Sequence, residues 1–100
     1  MTQPSTTWQD ILKKRAPKLL NEVAGIRESV LADGALSLKT KTLMMLLCDA
    51  LLGHPDGVAS IAKRARSLGA SEDEIAETVG VAFLMGGMPG LVTGTNAFRD

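Results

Sequence analysis

Apolar residues recur along this chain at intervals of three and four, the spacing that lines one face of an α-helix, and no segment alternates apolar with polar for long enough to read as a strand. Trp8, Ile11 and Leu12 share one face of a short first helix behind a cap at Ser5–Thr7. Pro17 can open a second helix in which Leu20, Val23, Ile26, Val30 and Leu31 form a stripe, and "ADG" at 32–34 stops it. Ser37 caps a third helix, "LKTKTLMMLLCDALL", that ends at Gly53. Pro55 suits the first turn of a fourth, with Val58, Ile61, Ala62 and Ala65 as its buried stripe and Gly69 as its end. "SEDE" at 71–74 has the pattern of a capping box and opens a fifth helix, expected to reach about Met85. "GGMPG" at 86–90 breaks that helix and reads as a hinge, with Met85 and Met88 as adaptable apolar contacts; Gly90–Phe98 form a short last helix. The pattern predicts an all-α fold of five to six helices.

The third helix is apolar on nearly every side and needs cover on all of them. A domain of this size buries only about 60–65% of its unfolded surface, so neighbouring subunits are expected to supply part of that cover. A symmetric homo-oligomer follows; the alternative is a central core helix in a monomer. One hundred residues allow a single domain, 1–100. Lys and Arg together number 11, as do Asp and Glu, so no net charge recruits nucleic acid or an anionic membrane. The basic cluster "KRAR" at 63–66 alternates with alanine and reads as a solvated helix face. The single cysteine, Cys48, fits a reducing, cytoplasmic setting and is expected in the core, where an apolar neighbourhood leaves a thiol inert. No signal sequence is evident, and the longest apolar stretch, 43–52, is interrupted by Asp49 and too short to cross a bilayer.

Candidate chemistry gathers where the third helix meets the fourth, at "GHPDG", residues 53–57, which holds the one histidine of the chain. Asp49 lies in an apolar helix and requires a partner or water. It stands two helical turns after Thr42, so both project from nearly one face, displaced toward His54. We expect an Asp49–His54 pair in which the carboxylate orients the imidazole, with Thr42, Met45, Gly57 and Ile61 on the wall of a small pocket. The alternative is purely structural: His54 caps the third helix, Asp56 sits in the first turn of the fourth, and Asp49 answers Lys41, Lys63 or an arginine of another subunit. One histidine with Asp49 and Asp56 is too few ligands for a zinc site within a chain, so no metal and no cofactor are expected. "GGMPG" lacks the Lys-Ser/Thr of a phosphate loop.

Residues 36–98 resemble the carboxymuconolactone decarboxylase and alkylhydroperoxidase-D-like family, through the "LS-x-K" helix start, "A-x-x-x-GAS-x-x-EI" at 65–75 and the late "GG-x-P" followed by "AF". The resemblance implies a small all-helical protein assembled into a trimer or hexamer, with peroxiredoxin-type oxidoreductase or decarboxylating lyase activity. The redox branch of that family carries C-x-x-C-x-x-x-H at the start of the fourth helix and a glutamate on the third. Aligned on Gly69, the two cysteines fall on His54 and Gly57, the histidine on Ile61 and the glutamate on Thr42, so all four are replaced. With one cysteine, two-cysteine chemistry within a chain is excluded, and only an exchange between Cys48 residues of two subunits survives. The decarboxylase branch works by acid–base chemistry, although no arginine stands ready here to anchor a lactone acid's carboxylate. What the resemblance leaves is acid–base chemistry on a small organic acid through His54 and Asp49, or a non-catalytic oligomeric binding or scaffold protein.

Overall fold

A computed structural model describes residues 7–100. Five α-helices follow one another: α1 (Trp8–Arg15), α2 (Pro17–Leu31), α3 (Leu38–Leu52), α4 (Pro55–Ser67) and α5 (Glu72–Gly94), closed by a 3-10 turn at Thr95–Phe98. No strand occurs among the described residues, and the fold is all-α as the spacing predicts. The chain divides into two compact units, residues 1–32 and 33–100.

In the first unit the expected cap falls on Thr7, whose Oγ1 accepts from Asp10 N at 3.3 Å; Ser5 lies outside the described residues. Lys13, Lys14 and Arg15 end α1, where positive charge meets the negative end of the helix dipole. Ala16, at φ −150° and ψ 67°, leaves the helical region, and Pro17 starts α2 with no N–H to satisfy. No residue of α1 or α2 is fully buried, and Ile26 and Val30 are 65% and 61% exposed. Within this unit a hairpin of two short helices offers each helix a single facing seam.

The second unit carries the core. Ser37 Oγ accepts from Thr40 N at 3.1 Å to start α3, and Asp33 Oδ1 accepts from Leu38 N at 2.7 Å. Thr42, Leu46 and Ala50 form the buried face of α3. They meet Val58, Ala62 and Ala65 of α4 and Ile75, Val79 and Ala82 of α5, with Ile61 packed against the cluster. Alanine is the commonest residue in this cluster, which lets the helix backbones approach closely. The capping box is present in both directions: Glu74 N donates to Ser71 Oγ at 3.0 Å and Ser71 N to Glu74 Oε1 at 2.8 Å. Lys39 Nζ reaches Glu74 Oε2 at 3.1 Å and ties the starts of α3 and α5 together. Arg66 joins three elements, donating to both carboxylate oxygens of Glu72 and to the carbonyl of Ala97 at 2.8 Å.

The fifth helix departs from its expected end. Only Gly87 leaves helical geometry, at φ +66° and ψ −156°, and helical turns resume as far as Gly94. Pro89 stands in the first turn after that break, where its missing N–H costs nothing. The chain reverses there. A Cβ placed on Gly90 would lie 2.6 Å from the carbonyl oxygen of Ala82, and one on Gly94 2.9 Å from Val79 Cγ1, so the second arm runs antiparallel along the first. By length and composition the helical run 72–98 is apolar enough to cross a membrane. Folded back at Gly87, neither arm has the roughly 20 residues a crossing needs.

Two outcomes follow. Gly90→Val forces a side chain into the Ala82 carbonyl and is expected to destabilise the protein by about 1–3 kcal/mol. Gly80→Ala, whose added Cβ meets nothing within 4 Å, is expected to be neutral or stabilising; urea unfolding midpoints compare the two. The backbone N–H of Ser71, and then Lys39, hold the Glu74 carboxyl below its ordinary 4.5. Stability from that group is therefore full above about pH 4.5 and is lost as pH falls through the lowered folded value. Glu74→Gln should flatten the acid limb of a Tm-against-pH curve, and an unchanged limb would contradict this assignment.

Candidate functional site at the junction of α3 and α4

The junction begins with Gly53, which takes φ +77°, a conformation that glycine adopts without a Cβ penalty. That left-handed residue turns the chain back over the end of α3, so that His54 N donates to the carbonyl of Asp49 at 2.9 Å. The same turn carries the imidazole over the Asp49 side chain. His54 Nδ1 lies 2.9 Å from Asp49 Oδ1, within hydrogen-bond distance. The imidazole is 57% exposed and the carboxylate 21%, so the acid is the sheltered partner and the base faces outward.

An ionised carboxylate only accepts hydrogen bonds, so this contact requires the proton on Nδ1. In the neutral imidazole the lone pair then sits on Nε2, on the far side of the ring from Asp49. His54 also occupies the N-cap position of α4, and its side chain makes no capping bond there. Among the described residues the imidazole is held by Asp49 and not by the helix it precedes. The positive end of the α4 dipole lies beside it, which favours an anion near the ring.

The other expected site residues are placed as follows. Thr42 is buried and its Oγ1 donates to the carbonyl of Leu38 at 2.8 Å. Met45 is half-buried on α3. Ile61 packs on the core from α4. Gly57, in the first turn of α4, faces the Asp49 carboxylate: a Cβ there would collide with Oδ2. Asp56 accepts from Arg99 Nη2 at 2.7 Å. That contact was not legible beforehand, because it joins residues 43 positions apart. It borders a cleft of about 250 Å³ lined by Asp56, Ala59, Ser60, Lys63, Arg99 and Asp100.

Cys48 corrects the expectation of a core thiol. It is a free cysteine and exposed. Its position shares a stripe with Met44, Leu51 and Leu52, all exposed, on the side of α3 away from Leu46 and Ala50. The helix is apolar all round, as the sequence suggests, but one chain covers only one of its faces.

The profile of the carboxymuconolactone decarboxylase family matches residues 17–100. An uncharacterized protein of Methanocaldococcus jannaschii is 27% identical over 91 residues, 91% of this chain and 85% of that protein. The crystal structure of an apo carboxymuconolactone decarboxylase family protein from Legionella pneumophila superposes with a TM-score of 0.85 at 29% identity, over 92% of this chain and 82% of that one. A candidate carboxymuconolactone decarboxylase from Burkholderia xenovorans LB400 superposes at 0.83 with 26% identity, over 95% and 74%. The matched span takes in α2 to α5 and the whole of the junction, and this chain belongs to the carboxymuconolactone decarboxylase family.

Proposed function

We propose that the protein is an acid–base catalyst of the carboxymuconolactone decarboxylase type, acting on a small organic acid through His54 and Asp49. The observation that carries this reading is the 2.9 Å contact between His54 Nδ1 and Asp49 Oδ1. It gives a base at Nε2 with a carboxylate behind it, the arrangement that orients an imidazole for proton transfer. A substrate lying over the exposed edge of the ring would lose a proton to Nε2, or receive one there as a developing carbanion is quenched. The amino end of α4 offers the neighbouring pole for the substrate's carboxylate. No metal or cofactor enters this reading.

Thiol peroxidase chemistry, the other activity associated with relatives, is disfavoured by the residues. A single cysteine cannot close an internal disulfide, and His54 and Gly57 stand where a cysteine pair would be needed. The lone exposed thiol is in keeping with a reducing, cytoplasmic location.

We further propose that the working form is a homo-oligomer, a trimer or hexamer. Met44, Leu51, Leu52, Leu84, Met85 and Met88 are all exposed in the single chain, Leu84 at 78%. So many large apolar side chains left exposed on two helices favour an association surface there. The same observation favours a second reading, in which the protein is an oligomeric binding or scaffold protein that keeps the fold without catalysis.

Turnover of small lactone acids and 3-oxo acids, followed by proton NMR, separates the two. Under the enzyme reading His54→Ala and Asp49→Ala lower kcat/KM on the accepted acid by roughly 10²–10⁴-fold, while Cys48→Ser leaves it unchanged. Activity indifferent to His54→Ala would remove the assignment. Light scattering is expected to return a multiple of 10.5 kDa, falling toward one chain in Leu84→Asp; a 10.5 kDa species for the unaltered protein would end the oligomer proposal.

A further inference from the structure

Gly57 stands where α4 passes closest to the Asp49 carboxylate. A Cβ at that position would collide with Asp49 Oδ2, lie 3.0 Å from Asp49 Cγ and 3.4 Å from His54 Cβ. Every one of those atoms belongs to the acid–base pair. Its backbone is helical, with no positive φ, so the turn itself does not demand glycine there. Glycine is also a poor helix former, and Ala would serve α4 better as a helix. The residue therefore works against the local structure and in favour of the space beside it.

We propose that Gly57 is a positioning residue that selects the tautomer of His54 by leaving room for the Asp49 carboxylate. This deepens, and rests on, the reading of Asp49 and His54 as an acid–base pair. The chain of cause is short. Absence of a side chain at 57 lets the carboxylate lie against the first turn of α4. From there Oδ1 meets Nδ1 at 2.9 Å. That bond places the ring proton on Nδ1 and leaves Nε2 as the base. A methyl group at 57 meets the mobile end of the Asp49 side chain, not backbone, so relief comes by turning the carboxylate away. The expected result is a protein that folds normally with the wrong imidazole tautomer.

The chain contains one histidine, so its imidazole ¹⁵N shifts report this site alone. We would record them at a pH where the ring is neutral, in the unaltered protein and in Asp49→Ala, Gly57→Ala and the double variant. The unaltered protein is expected to hold its proton mainly on Nδ1. Gly57→Ala should move the Nδ1–H to Nε2–H ratio roughly fivefold toward Nε2–H, the equivalent of losing one hydrogen bond, and should match Asp49→Ala. In the Asp49→Ala background, Gly57→Ala should change the ratio no further.

A folded Gly57→Ala protein with the unaltered ratio overturns the proposal and leaves the pair itself intact. An Nε2–H ring in the unaltered protein is a different failure, because it removes the pair together with the role of Gly57. Should Gly57→Ala alone fail to fold, recovery of folding in the double variant supports the coupling to Asp49, and failure of both overturns it.

Discussion

A carboxylate set into an apolar helix governs this structure. Asp49 follows "LMMLLC" and precedes "ALL", and a charge so placed costs several kcal/mol unless water or a partner reaches it. The solution lies five residues on. Gly53 leaves the helix in the left-handed region, His54 folds back onto the carbonyl of Asp49, and the imidazole meets the carboxylate. One turn thus ends α3, starts α4 and partners the acid. Gly57 completes the arrangement by keeping the first turn of α4 clear of Oδ2.

Much of the fold was legible because its helices are bounded by chemistry and not by hydrophobic pattern alone. Ser37, Gly53, Pro55 and the Ser71–Glu74 box each mark an end by satisfying, or not needing, a specific backbone N–H or carbonyl. Those positions carry the same meaning in sequence and in space. Where the pattern misled, it was silent about partners. Cys48 was placed in the core because its neighbours are apolar, although only one face of α3 is covered by its own chain. The break in α5 was anticipated at "GGMPG", but a single residue, Gly87, makes the turn, and Gly90 and Gly94 are needed for close packing of the returning arm.

The candidate site was legible in part for the same reason. The spacing of Asp49 and His54 across a helix stop brings them together once Gly53 takes its conformation. Gly57 was read as a wall residue, since the absence of a side chain shows its purpose only when a neighbour's atoms are known. Arg99 on Asp56 was invisible, being a contact across 43 positions with no periodic signal. Membership of the carboxymuconolactone decarboxylase family accounts for the helical order and not for this pair. An acid and an imidazole meet at the junction of α3 and α4.

The most direct check is the distance between His54 Nδ1 and Asp49 Oδ1 in a crystal structure of the assembled protein. The account predicts a hydrogen bond near 2.9 Å, with Gly57 against the carboxylate. An Asp49 side chain turned to another partner, with the two atoms more than about 3.5 Å apart, would contradict it.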